Sequence, residues 1–218
     1  MSTRNEGPAP RPVRGAKSEQ TRRRILDTAL GLFNERGTAA VSTNHVAAGA
    51  GLSSGNLYYH FAGKQEIIRA LHERHAAANA GLWESGAAPA DLAGQRGGLA
   101  RAMELAWEYR FFERELMALL RADPQLHASY RQVHVRRLDQ WLAFGQRLIA
   151  QRAVRPPQPP ATIGDLTVAV WLIGSCWMSF LEVTGDPRDP GQVAKGSDLV
   201  LAVLGPYLTG HEIEREQS

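Results

Sequence analysis

The sequence predicts an all-α protein in which a three-helix domain with a helix-turn-helix precedes a larger helical domain. Three observations carry this. Apolar residues recur at helical spacing in the stretches between chain breakers, and nothing alternates as a strand would. Residues 42–61 set two short helical patterns around Gly51. Charge is uneven: residues 1–64 hold 9 Lys+Arg against 4 Asp+Glu, a net +5, and the remainder carries −2 within the overall +3. A basic end is what a polyanion selects, because neutralised phosphates release counterions. A solvated basic tail has the same composition.

Residues 1–17 place Arg4, Arg11, Arg14 and Lys17 among prolines and glycines with few apolar groups, so a flexible basic arm is expected. Flexible arms of this kind enter minor grooves, and an idle tail is the other reading. The first helix is expected from Ser18 to about Arg36, with Ile25, Leu26, Ala29, Leu32 and Phe33 on one face and Gly37 as its stop. Two short helices follow, one capped by Ser42 or Thr43 and one by Ser53, with Gly51 at the turn. A longer helix opens at Gly63 and runs to about Trp83, where Ser85, Gly86 and Pro89 break it. Beyond it lie helices over about 92–121, interrupted near Phe111, and then 124–152, 163–184 and 192–208. The expected organisation is an arm at 1–17, the helix-turn-helix domain at 18–64, a helical domain at 65–210 and a tail at 211–218.

Within the helix-turn-helix, Val46, Ala47 and Ala50 make one apolar face whose small side chains allow a close crossing. Leu57 and Phe61 should face the first helix, leaving Ser54, Gly55, Asn56, Tyr59 and His60 toward solvent. Gly55 permits close backbone approach to DNA, and Asn56 matches the donor and acceptor pair on an adenine edge. Tyr58, Tyr59 and His60 suit phosphates or thymine methyls, and Thr43 and Lys64 stand at the two ends of the unit to grip the backbone.

The run containing Thr43, Val46, Ala47, Ala50, Gly51, Leu52, Ser53, Gly55, Leu57, Tyr58, His60, Phe61 and Lys64 resembles the DNA-binding domain of the TetR family of bacterial transcriptional regulators. The resemblance covers about residues 18–71, and beyond it only the helical architecture is similar. It implies phosphate contacts from Thr43, Tyr58, Tyr59, His60 and Lys64, and groove-facing roles for Asn44, Ser54, Gly55 and Asn56. Ser54 and Asn56 depart from the residues frequent there, so no base preference carries over.

The resemblance further implies a helical ligand-binding and dimerisation domain. The residues agree physically: the helix at 163–184 is apolar around most of its circumference and must be covered on several sides. With the final helix it could pair with a second copy as a homodimer, presenting two recognition helices to a pseudo-palindromic double-stranded DNA operator. A small, largely apolar effector is expected in a pocket among Trp107, Arg110, Phe111, Tyr130, His134, Trp171, Ser175, Trp177 and Met178. Plain core packing is the competing reading for each of these.

Other chemistries find little footing. His72 and His75 flank Glu73-Arg74 at the wrong spacing for a zinc-protease helix and read as exposed helix residues, as do His127 and His134. Cys176, the only cysteine, reads as a small buried hydrophobe. No metal, cofactor or ordered set of acid, base and nucleophile is indicated, so an enzyme is not expected. The lone cysteine and the absence of an apolar leader fit a cytoplasmic setting. Residues 166–181 form an uncharged run shorter than the roughly 20 needed to span a bilayer, which reads as a buried helix. The expected function is therefore a dimeric repressor released by an effector; the alternative is an effectorless DNA-binding or nucleoid-associated dimer.

Overall fold

The computed structural model describes residues 14–84 and 92–209, so Arg4 and Arg11 of the arm, the break expected at 85–89 and the tail at 211–218 lie outside the described residues. Two compact units divide the chain between Ile67 and Ile68.

The first unit contains α1 (Arg14–Ala40), α2 (Thr43–Gly49), α3 (Ser54–His60) and the opening of α4 (Lys64–Glu84). Helix α1 begins at Arg14 rather than Ser18, so Arg14 and Lys17 belong to a helix and not to an arm. The stretch 16–20 is made of adequate helix formers without proline, and the Thr21 hydroxyl donates to the Lys17 carbonyl at 2.9 Å. At Gly37 the backbone turns to φ 76°, ψ 158°, which breaks the helix as expected, and a short helical continuation reaches Ala40. Ser42 caps α2 in a reciprocal box with His45, and Ser53 caps α3. Gly51 sits at φ 63°, the left-handed turn between them.

Ile25, Leu26, Ala29, Leu30 and Phe33 of α1 form the floor of this unit, under Val46, Ala47, Ala50, Leu57 and Phe61. Fully burying a Leu or Phe contributes about 1.5–3 kcal/mol, so this small core is what aims α3. The helices approach closely at Gly49, where a Cβ would stand 2.9 Å from Thr28 Cγ2.

The second unit contains the rest of α4 with α5 (Leu92–Glu108), α6 (Arg110–Ala122), α7 (Pro124–Ala150), α8 (Ile163–Thr184) and α9 (Pro190–Leu204), then a 3₁₀ turn at Gly205–Tyr207. Tyr109, at φ −107° and ψ 27°, separates α5 from α6. Asp123 caps α7 through Oδ1 and accepts from Arg69 of α4 through Oδ2 at 2.7 Å. Thr162 and Asp165 make a capping box on α8, and Asp189 caps α9. Helices α5, α8 and α9 meet tightly at Gly196, where a Cβ would lie 2.7 Å from Trp177 Cδ1 and 2.9 Å from Met103 Sδ. An isolated antiparallel bridge, Val154 to Leu208, is the extended pairing among the described residues.

Helix α8 corrects two expectations. Only Met178 and Leu181 are buried on it, and Val168, Leu172, Cys176, Phe180 and Val183, spaced by four, four, four and three residues, are exposed. Cys176 is thus exposed rather than buried, because α5, α6, α7 and α9 cover the opposite side of α8 and leave its stripe uncovered within one chain. The helix also incorporates Asp165 and Glu182, so its 22 residues reach the length and apolar composition of a membrane-crossing helix that the shorter uncharged run lacked.

Candidate functional site

In the helix-turn-helix the packing of Leu57 and Phe61 decides what α3 shows. Both are buried, at 0% and 1% exposure, and the guanidinium of Arg22 lies 4.9 Å from the Phe61 ring centre, covering the end of the helix. On the outer face Ser54, Gly55, Asn56, Tyr58 and Tyr59 are exposed, Tyr59 at 81%, with His60 half-buried. Nothing lies within 4 Å of a Cβ built on Gly55, so the protein itself leaves open space there.

Two hydrogen bonds tie the ends of α2 and α3 together, and sequence reasoning did not anticipate either. The Ser54 hydroxyl donates to Asn44 Oδ1 at 2.9 Å, which turns the Asn44 amide so that its NH₂ remains available as a donor. The Thr43 and Tyr58 hydroxyls are 3.1 Å apart and share a hydrogen bond. Lys64 Nζ donates to the Thr38 carbonyl at 2.6 Å, and Ala62 N–H donates to the Glu66 carboxylate, fixing the start of α4 against α1. These nine residues therefore lie on one small unit: Asn44 and Ser54 bonded as a pair, Thr43 and Tyr58 as another, Gly55, Asn56 and Tyr59 open, His60 edge-on to Tyr59 at 5.2 Å, and Lys64 anchored.

The nine residues expected around an effector separate into three groups. Tyr130, His134 and Trp171 come together, with ring centres 5.7 Å and 4.3 Å apart along the chain of contacts. Trp107 and Arg110 form a second pair, the guanidinium 4.1 Å from the indole. Phe111 and Met178 are buried core residues, Ser175 is half-buried, and Trp177 belongs to the α8–α9 contact, where its indole N–H donates to the Gln192 and Val193 carbonyls.

A cavity of about 440 Å³ lies elsewhere, between α4 and α7, with His72, Ala76 and Ala80 on one wall and Val133, Arg136 and Arg137 on the other. None of the nine expected residues lines it. His72 is not an exposed helix residue: it is 3% exposed and packs on Phe112 and Tyr130 at 5.6 and 5.7 Å. His75 stacks on Tyr109 at 4.7 Å and bonds Asn79. His127 is exposed, but His134 is half-buried in the aromatic chain. Burial, with Arg137 nearby, pushes His72 down to about 4 and His75 to about 3. Burial pushes the Glu113 carboxyl up to about 7 against the pull of Arg137. A signal for the cavity was present in the sequence, since Ser129, Gln132, Val133, Arg136, Arg137 and Gln140 repeat at helical spacing on α7.

A compact helix-turn-helix with a polar, open recognition face, joined to a larger helical unit, defines a DNA-binding regulator of the bacterial type. Residues 25–71 match the family of bacterial regulatory proteins named for TetR, and residues 68–215, more than half of the chain, match a bacterial transcriptional repressor family model of the same name. A TetR-family regulator from Marinobacter aquaeolei has a similar structure, with a TM-score of 0.77, 32% identity and coverage of 88% of this chain and 92% of that one. The chain belongs to the TetR family of transcriptional regulators, whose members are generally repressors. Curated relatives include the regulator SrpR of Pseudomonas putida, 39% identical over 56 residues that make up 26% of either chain. The repressor KstR2 of Mycobacterium tuberculosis is 45% identical over 47 residues, 22% of this chain and 24% of the relative. The chain thus aligns with about a quarter of the length of these relatives.

Proposed function

We propose that this protein is a cytoplasmic homodimeric repressor that binds a pseudo-palindromic operator and releases it when a small effector occupies the larger unit. Residues 18–64 read DNA and residues 65–210 bind effector and partner. The observation that carries the reading is the division of α3 into a buried side, Leu57 with the following Phe61, and an open side of Ser54, Gly55, Asn56 and Tyr59. Asn44, Ser54, Gly55 and Asn56 meet base edges, and Thr43, Tyr58, Tyr59, His60 and Lys64 hold phosphates. Two hydroxyls already bonded to each other, at Thr43 and Tyr58, lose little rotamer freedom on meeting a phosphate.

A second copy is the occupant of the α8 stripe. Val168, Leu172, Phe180 and Val183 line one stripe of α8 and are exposed, as is Leu199 of α9, apolar surface of the kind that a two-fold partner covers with its own copy. For the effector, support comes from the aromatic chain of Tyr130, His134 and Trp171 and from the cavity that adjoins it at His72.

Gel-shift titration over a range of salt concentrations tests the reading. A dimer gripping phosphates from both heads gives a steep fall of log K with log salt and a preferred duplex. Equal affinity for its selected site and for random duplex contradicts it, and preference that no metabolite alters leaves DNA recognition but removes the effector.

A further inference from the structure

The cavity between α4 and α7 has an electrostatic character that the aromatic residues alone do not convey. Arg136 and Arg137 line it against one acidic side chain, Glu73, which is exposed, leaving an excess of one positive charge. Among the described residues no carboxylate lies within ion-pairing distance of Arg137. The carboxyl that acts on it, Glu113 of α6, is itself held up near 7 by burial, which weakens its negative charge at neutral pH. A guanidinium that is largely withdrawn from water with so weak a counter-charge is costly unless an anion joins it. An independent mark lies on the facing wall, where His72 lines the cavity at 3% exposure and its Nδ1 has no hydrogen-bond partner. Ala76, Ala77, Ala80 and Val133 supply an apolar strip between the two.

We propose that this cavity binds an organic monoanion, a carboxylate on a short apolar body, with Arg137 as its counter-ion and His72 Nδ1–H as a donor to it. The proposal rests on the reading that the larger unit holds an effector, and it assigns that effector a charge class. A planar guanidinium fork matches a carboxylate in two hydrogen bonds, and the neutral imidazole adds a third. The excess of one positive charge favours a monoanion over a dianion, which would bring an uncompensated charge into the site. The volume, about 440 Å³, falls in the range of small-molecule sites and bounds the apolar body.

The test titrates the full chain with octanoate and naphthoate and with the matched alcohols and amines, by thermal shift and calorimetry. Octanoate or naphthoate should raise the melting temperature where octanol and octylamine do not. R137Q should weaken acid binding by at least about tenfold, and R137K, which keeps the charge but loses the two-pronged fork, should weaken it by clearly less than R137Q. V133W, which fills the cavity from the same face of α7 one turn before Arg137, should also abolish acid binding, and a native helical dichroism spectrum establishes that each variant is folded. Alcohols binding as tightly as acids, or R137Q binding octanoate undiminished, would overturn the charge assignment while leaving an effector site standing. No binding of acid, alcohol or amine would overturn the assignment, while the effector reading itself stands or falls separately on whether any metabolite alters operator binding in the gel shift.

Discussion

Replacing Glu113 with glutamine should make the protein markedly more acid-labile, because Glu113 opposes two histidines in the same unit. A base whose folded pKa is depressed stays neutral in the folded state, so a histidine of this kind withdraws stability as pH falls below its unfolded value. His72 and His75 go from 6.5 to about 4 and about 3, so each withdraws stability between pH 6.5 and its folded value. At 1.36 kcal/mol per pH unit, each removes about 2.5 kcal/mol by about pH 4.5. Glu113 runs the other way. Its carboxyl goes from 4.5 unfolded to about 7 folded, so the folded state holds the extra proton in that window and gains stability as pH falls. That gain is about 3 kcal/mol on the same scale and offsets more than half of what the imidazoles remove. Wild type should therefore lose about 2 kcal/mol between about pH 7.5 and 4.5, and E113Q about 5 kcal/mol. Urea denaturation followed by circular dichroism at the two pH values, at fixed protomer concentration, measures both losses. Parallel losses in wild type and E113Q would refute the burial of Glu113 and the opposition described.

Three further outcomes follow from the geometry. N56A removes an exposed side chain, so stability should stay within about 0.5 kcal/mol while affinity for the operator, but not for random duplex, falls about 10- to 100-fold in gel shifts. G196A places a methyl against Trp177 and Met103 at 2.7 and 2.9 Å and should destabilise the protein, read as a lower urea midpoint. The cost of such overpacking is about 1–3 kcal/mol. L172E puts a charge in the middle of the exposed α8 stripe, so sedimentation should find monomer where wild type is dimer, and operator binding should weaken with it.

What the sequence revealed depended on how local the determining physics was. The bounds of α8 follow from Thr162 as cap and Gly185 as stop, both within one turn of the helix ends, and α8 runs over Ile163–Thr184 as the pattern reads. Ser42, Gly51 and Ser53 likewise act on their immediate neighbours, so the order and turn of α2 and α3 were legible. The start of α1 was not, because proline and glycine before Lys17 mask the helix formers that follow. Burial was legible only where one stripe meets one partner. Leu57 and Phe61 do so, but Cys176 sits on the side of α8 that α5, α6, α7 and α9 leave open, a choice no local pattern encodes. His72 was misread for the complementary reason: its enclosure by Phe112 and Tyr130 joins residues 40 and 58 positions away. The cavity between α4 and α7 is of the same kind, a product of two helices distant in sequence.

The central claim, that the open face of α3 reads a specific duplex as one half of a dimer, is tested most directly by selecting bound sequences from a random double-stranded DNA pool with the full chain. The account expects enrichment of two-fold related half-sites with centres about one helical turn apart, roughly 34–36 Å, lost when Asn56 and Ser54 are both replaced by alanine. A pool that emerges without any enriched sequence, or an enriched site indifferent to those replacements, would contradict it.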